Sequence, residues 1–176
     1  MIPITAASVG GQSATLRPPR TWRRDTSCSW GIVPLRVIVG YGFLAHGLAK
    51  LIRGPAGFGK LLHVVGVPFP AATAWMVTLL EVFGGLALIV GMLVTLISIP
   101  LAASMLVAMF TVHLRNGYSS VNTVGLTATG PVFGPPGYEI NLLYIAALVA
   151  VAIGGPGALS VDGWRSRRKL RAKAGT

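Results

Sequence analysis

Apolar residues run almost unbroken through four stretches of the chain, and the polar positions between them gather into Gly-, Pro- and charge-rich connectors. The first stretch, from about Gly31 to Ile52, is long enough at about 1.5 Å per residue to cross a hydrocarbon core of about 30 Å. The segment that follows, "RGPAGFGKLLHVVGVPFP" from Arg53 to Pro70, is punctuated by glycine and proline and predicts a connecting loop with a short interfacial helix around Lys60 to Val65. Ala71 to Leu114 contains two ionisable residues, Glu81 and His113, and is close to twice the length of one crossing. It therefore predicts a helical hairpin with arms at about 71–91 and 95–114. Gly91 ends the first arm, Thr95 or Ser98 caps the second, and Pro100 is tolerated in its early turns. "RNGYSSVNTVGLTATGPVFGPPGY", Arg115 to Tyr138, reads as a long loop, either a functional lid or disordered. A fourth span follows at about 139–157. Its apolar run is short, so it is expected to continue through Gly154-Gly155-Pro156-Gly157, to tilt little, or to start inside the interface.

The pattern predicts an all-α integral membrane protein, an antiparallel four-helix bundle spanning 31–157 between flanking basic tails at 1–30 and 158–176. Composition points the same way, because a chain that is 53% hydrophobic and 11% charged cannot cover a water-facing surface. Lipid is the expected solvent. The net charge of +11 could by itself suggest nucleic acid, but ten of the 15 Lys and Arg residues lie in the two tails, outside the apolar body. That distribution suits juxtamembrane anchors and argues against a specific nucleic-acid partner. Four spans put both termini on one side. The charge bias makes that side the cytoplasmic one, since the opposite connectors hold only Arg53, Lys60 and Arg115. Residues 1–16 contain no long apolar run, so no usual secretory signal is expected. The lone Cys28 offers no intrachain disulfide and no CxxC pair.

The candidate chemistry lies in the charges that enter the spans. In "RVIVGYGFLAHGLAKLI", Arg36, His46 and Lys50 fall within an arc of about 80 degrees on one helix face, together with Gly40, Phe43 and Gly47. Glu81 is the sole carboxylate of its span and sits near the middle, about 15 Å from water on either side. It must be neutralised, either by protonation or by pairing with Arg36, Lys50 or His46 from the facing stripe. Its height is expected to fall between Arg36 and His46. Such a pair is either a helix-packing clasp or a proton-transfer and head-group site. At the far ends of the third and fourth spans, His113, Tyr138 and Glu139 could join His46 and Lys50 around a polar pocket. Haem is disfavoured because His46 and His113 differ by roughly 7 Å in height. No spacing suits a zinc or iron–sulfur site, and no metal is expected.

"RVIVGYGFLAHGLAKLI", "GVPFP", "LLEVFGGLALIVGMLVT", "HLRNGY", "GYEINLLY" and "GPGALSVD", in that order from Arg36 to Asp162, resemble the DoxX family of small bacterial membrane proteins. The resemblance singles out Arg36, His46, Gly47, Lys50, Glu81, Gly84, Gly85, His113, Tyr138, Glu139, Gly155, Pro156 and Asp162 at matching positions. It implies a four-helix bundle in the bacterial inner membrane and a link to redox biology, through quinone-reducing systems or oxidative-stress assemblies. The chain departs from the family in carrying Thr95-Leu96 where Thr-Arg is frequent, and in its longer loop from Asn116 to Gly137.

These readings lead to a quinone-linked oxidoreductase subunit. Glu81 and His46 would handle protons or a quinone carbonyl, Arg36 and Lys50 would balance charge, and His113, Tyr138 and Glu139 would contact the quinone. With no tightly bound electron carrier of its own, such a subunit needs a partner redox protein, and a homo-oligomer is open to it. The alternatives are a noncatalytic anchor for soluble redox or stress enzymes and a small solute or proton carrier.

Overall fold

A computed structural model describes residues 26–174. The N-terminal basic cluster lies outside the described residues. The chain forms α1 (Thr26–Arg53), α2 (Pro55–Val64), α3 (Pro70–Val90) and α4 (Val94–Ala108), the last continued by a π turn (Met109–His113) and a 3-10 turn (Leu114–Asn116). A hairpin of β1 (Thr123–Thr127) and β2 (Gly130–Phe133) precedes α5 (Glu139–Gly154), and α6 (Val161–Ala174) closes the order.

The fold is mostly helical, and three of its helical stretches, Ser29–Arg53, Pro70–Val90 and Val94–Asn116, are long and apolar enough to cross a membrane. Glu139–Gly154 is a shorter apolar helix, about 24 Å at 16 residues. The expected continuation to residue 157 is overturned: Gly155 turns the chain with φ 77° and ψ −167°, and α5 ends at Gly154. The segment read as a basic C-terminal tail is helical over Val161–Ala174. The loop expected at 115–138 holds a small antiparallel two-stranded sheet, the one addition to the helices among the described residues.

Helices α1 and α3 run antiparallel, with α4 packed on α3 and α5 packed on both α4 and α1. Their shared core is Val39, Phe43, Leu88, Val94, Leu101, Leu148 and Val151. Glycine sets the α1–α3 distance: a Cβ on Gly85 would stand 2.6 Å from the Gly40 carbonyl oxygen, and one on Gly40 would stand 2.7 Å from that of Gly85. Only bare backbones fit so close, the usual device where lipid offers no hydrophobic drive between helices. Many apolar side chains outside this core face outward. Ile38, Phe83, Ile99 and Leu143, one from each apolar helix, are 62%, 64%, 64% and 62% exposed, which calls for a lipid environment.

Gly91, left-handed at φ 73°, ends α3 as its position predicts. Neither Thr95 nor Ser98 caps α4: their hydroxyls donate to the carbonyls of Ala152 (3.3 Å) and Val94 (2.8 Å). The Val94 N–H instead donates to the Asp162 carboxylate at 3.2 Å, a cap supplied from 68 residues away. Among the described residues three that are not glycine, Phe69, Leu93 and Leu159, are left-handed with φ of 50°, 51° and 51°. We call the end with the α3–α4 turn and α6 the terminal end, and the opposite one the loop end.

Candidate functional site

Glu81 sits on the face of α3 that meets α1. The side chain missing at Gly47 opens that contact, because a Cβ there would lie 2.8 Å from the Val82 backbone nitrogen and 3.0 Å from the Glu81 Cβ. Lys50, just under one turn further along α1, then reaches Glu81, its Nζ 2.5 Å from Oε1. The Lys50 Nζ also lies 4.4 Å from the centre of the Phe58 ring of α2, a cation–π contact. The pair is asymmetric: the Glu81 side chain is 4% exposed and that of Lys50 is 26% exposed. Among the described residues Glu81 Oε2 is buried without a partner.

A second unpartnered acceptor lies on α5: among the described residues Asn141 Oδ1 is buried without a partner, while its Nδ2 donates weakly to the Met105 carbonyl of α4 at 3.4 Å. A carboxylate oxygen and an amide oxygen, both acceptors, are thus left open inside the bundle. Such groups call for a donor, whether a hydroxyl, a water or a proton.

The other sequence-predicted residues do not converge on this pair. Arg36 is buried at the terminal end, where Nη1 donates to the Pro156 carbonyl and Nη2 to those of Leu159 (3.1 Å) and Ile89 (3.4 Å). Ile89 is two turns of α3 from Glu81, about 12 Å, so the expected Arg36–Glu81 contact is not formed. The expected height is corrected as well: Glu81 is level with Gly47, outside the interval from Arg36 to His46. His46 is exposed on α1, because the neighbouring Gly47 takes the line of contact with α3 and one residue turns the ring about 100 degrees away. Lys50 alone of the three basic residues meets the acid.

His113, Tyr138 and Glu139 gather at the loop end, but around backbone. His113 Nδ1 lies 3.1 Å from the Pro136 carbonyl oxygen, which also accepts from Asn116 Nδ2 at 3.1 Å. The Tyr138 ring packs edge-on against Tyr118, with centres 5.5 Å apart. Glu139 Oε2 accepts from the Ser120 N–H (2.9 Å) and hydroxyl (2.8 Å). These residues fasten the long loop to the ends of α4 and α5.

Among the described residues no group of three or more His, Cys, Asp or Glu is placed to hold a metal ion. Sequence reasoning missed Asn141 and Phe58. Asn141 had a signal, as the one amide in an otherwise apolar helix, whereas nothing in the sequence brings Phe58 over Lys50.

Comparison with known proteins gives three findings. Residues 31–114 match the DoxX family model. A protein of Haemophilus influenzae, described only as "Uncharacterized protein", is 27% identical over 130 residues, covering 73% of this chain and 85% of its own length. "Putative oxidoreductase CatD" of Bacillus subtilis is 29% identical over 85 residues, covering 48% of this chain and 61% of that protein. No solved structure matches the chain significantly.

Proposed function

Starting from a DoxX-family membrane protein, matched to its family over residues 31–114, we propose that the chain is the membrane subunit of a quinone-linked oxidoreductase system, with both termini cytoplasmic. The observation that carries this reading is the Lys50–Glu81 pair, with one carboxylate oxygen held by the ammonium and the other left open inside an apolar bundle. Quinone reduction adds two electrons and two protons to a lipid-soluble molecule. The protons must be delivered inside the membrane, and a buried carboxyl beside a quarter-exposed lysine is a group suited to passing them. Electrons come from a partner redox protein. The oxidoreductase name of the Bacillus relative supports the class of chemistry. In this reading Glu81 exchanges the proton, Lys50 sets its charge balance, and Asn141 orients the bound head group. Arg36, His113, Tyr138 and Glu139 keep the two ends of the bundle closed. His46 lies on the outward side of α1, where it can exchange protons with an amphiphile arriving from the lipid.

The test is purification in mild detergent, organic extraction and mass spectrometry of what accompanies the protein. Quinone near one equivalent in the parent and in Glu139→Gln, but lost in Glu81→Gln, is the expected result. Absence of quinone from all three overturns the reading.

A second reading, a noncatalytic anchor for soluble enzymes, is favoured by α6. This helix places Arg165, Arg167 and Arg168 next to the bundle and has Asp162 as its one acidic residue. Deleting residues 164–176 distinguishes the two: loss of a co-purifying partner with quinone retained assigns docking to α6.

A further inference from the structure

The hairpin β1–β2 is the least expected element. From Asn116 to Gly137 the chain contains no Asp, Glu, Lys or Arg. Yet Val121, Val124, Leu126 and Phe133 are 68%, 61%, 82% and 61% exposed. Both strands have an open outer edge, because the sheet has two strands only. Exposed strand edges in water are ordinarily guarded by charge, and this one has none.

Register between helices locates the hairpin's root. Thr95 of α4 bonds the Ala152 carbonyl of α5, and Asn141 of α5 bonds the Met105 carbonyl of α4, so the two helices run in step. At the loop end the start of α5 lies beside the end of the α4 path: His113 Nδ1 and Asn116 Nδ2 are both 3.1 Å from the Pro136 carbonyl oxygen. The chain leaving Asn116 returns alongside Tyr138 and Glu139, through the bonds Tyr138 N–H to Gly117 oxygen (3.1 Å) and Ser120 N–H to Glu139 (2.9 Å). The hairpin then opens at the Gly134 N–H to Asn122 oxygen bond (2.7 Å). Its base is thus tied to the loop-end termini of α4 and α5. Around that point the apolar helices expose Phe110, Leu114, Ile140 and Leu143, so the apolar surface of the hairpin continues that of the spans.

We propose that the β1–β2 hairpin lies in the interfacial layer of the bilayer and seats Leu126 and Phe133 among lipid acyl chains, as an added anchor at the loop end. The occupant of this surface is lipid. Absence of charge and continuity with the outward belt of the spans both favour it over a folded partner. The strands stay in the head-group layer, since their open edges find hydrogen-bonding partners there and would find none in the hydrocarbon. Leu126 pairs with Pro131 across the sheet and Phe133 follows two residues on, giving one apolar face. The proposal does not depend on the quinone reading.

The test uses the full chain in phosphatidylethanolamine–phosphatidylglycerol vesicles, with Cys28→Ser as background and a nitroxide attached to Leu126→Cys, Phe133→Cys or, as a water-facing reference, Ser166→Cys. Accessibility is measured to oxygen, which concentrates in lipid, and to a nickel chelate, which stays in water. Labels at 126 and 133 with an oxygen-to-nickel ratio several-fold above that of 166 support the proposal. A ratio equal to that of 166 overturns it by placing the hairpin in water. Protection from both reagents also overturns it, because the face is then covered by protein. The strongly exposed side chain at 126 makes that label a benign change, and helix content by circular dichroism verifies folding of each variant.

Discussion

A lone carboxylate in an apolar helix commits its neighbours more than any other residue of this chain does. That Glu81 must be neutralised, by a proton or by a basic partner, was legible in the sequence, because its span holds it about 15 Å from water. Which of three bases it takes was not. A helical wheel gives direction around one axis and says nothing of where a second helix touches along it. The absent side chain at Gly47 settles that height and brings Lys50, not Arg36 or His46, onto Glu81. The asymmetry of the pair makes a prediction at this scale. Lys50→Met leaves the carboxyl buried without its base and is expected to cost about 3–5 kcal/mol. Glu81→Gln leaves an ammonium that is already 26% exposed and can extend to the boundary, so its cost should be smaller. Thermal unfolding in detergent ranks the two, and the double variant should recover part of the Lys50→Met loss.

Among the elements, the second span was the best read, expected at 71–91 and found at Pro70–Val90, because a proline opens it and a left-handed glycine closes it. Both signals are local and survive any tertiary context. The cap of α4 was misread for the opposite reason. Its cap comes from Asp162, a contact distant in sequence that no window around Thr95 contains. Together with Arg36, which donates to carbonyls on both sides of the 156–159 turn, that carboxylate fastens α6 to the terminal end. Removing it as Asp162→Ala should cost about 1 kcal/mol, the usual worth of a helix cap. It should also speed amide exchange at Val94 and through residues 156–161, while Leu88 and Leu101 keep their protection. The hairpin escaped the sequence reading because each strand is short and glycine and proline interrupt its alternation, so the period-of-two signal never accumulates.

At the scale of the whole molecule, the sequence disclosed the environment more fully than the architecture. Long apolar runs and a scarcity of charge name lipid as solvent whatever the packing. The stated span limits require a fold in which neighbours decide where a helix stops. α5 shows this, ending at Gly154 beside the Arg36-bound turn instead of running on to 157. The distribution of positive charge carries the proposed orientation, and it can be checked directly. In inside-out membrane vesicles trypsin should remove the α6 region at Arg165 to Arg168, and in right-side-out vesicles it should leave that region intact. Cleavage with the opposite pattern would reverse the assigned sides.

The three left-handed apolar residues suggest a practical handle on the protein. Phe69, Leu93 and Leu159 each hold a backbone shape that glycine adopts freely, at a steric penalty of about 1–2 kcal/mol for a residue bearing a side chain. All three side chains point outward, at 81%, 46% and 68% exposure, so trimming them disturbs no core packing. Leu93→Gly should raise the melting temperature in detergent, with part of the relief offset by the greater freedom of an unfolded glycine. A chain carrying all three changes would be a hardier starting material for crystallisation or electron microscopy, with its buried acid and its hairpin left as nature made them.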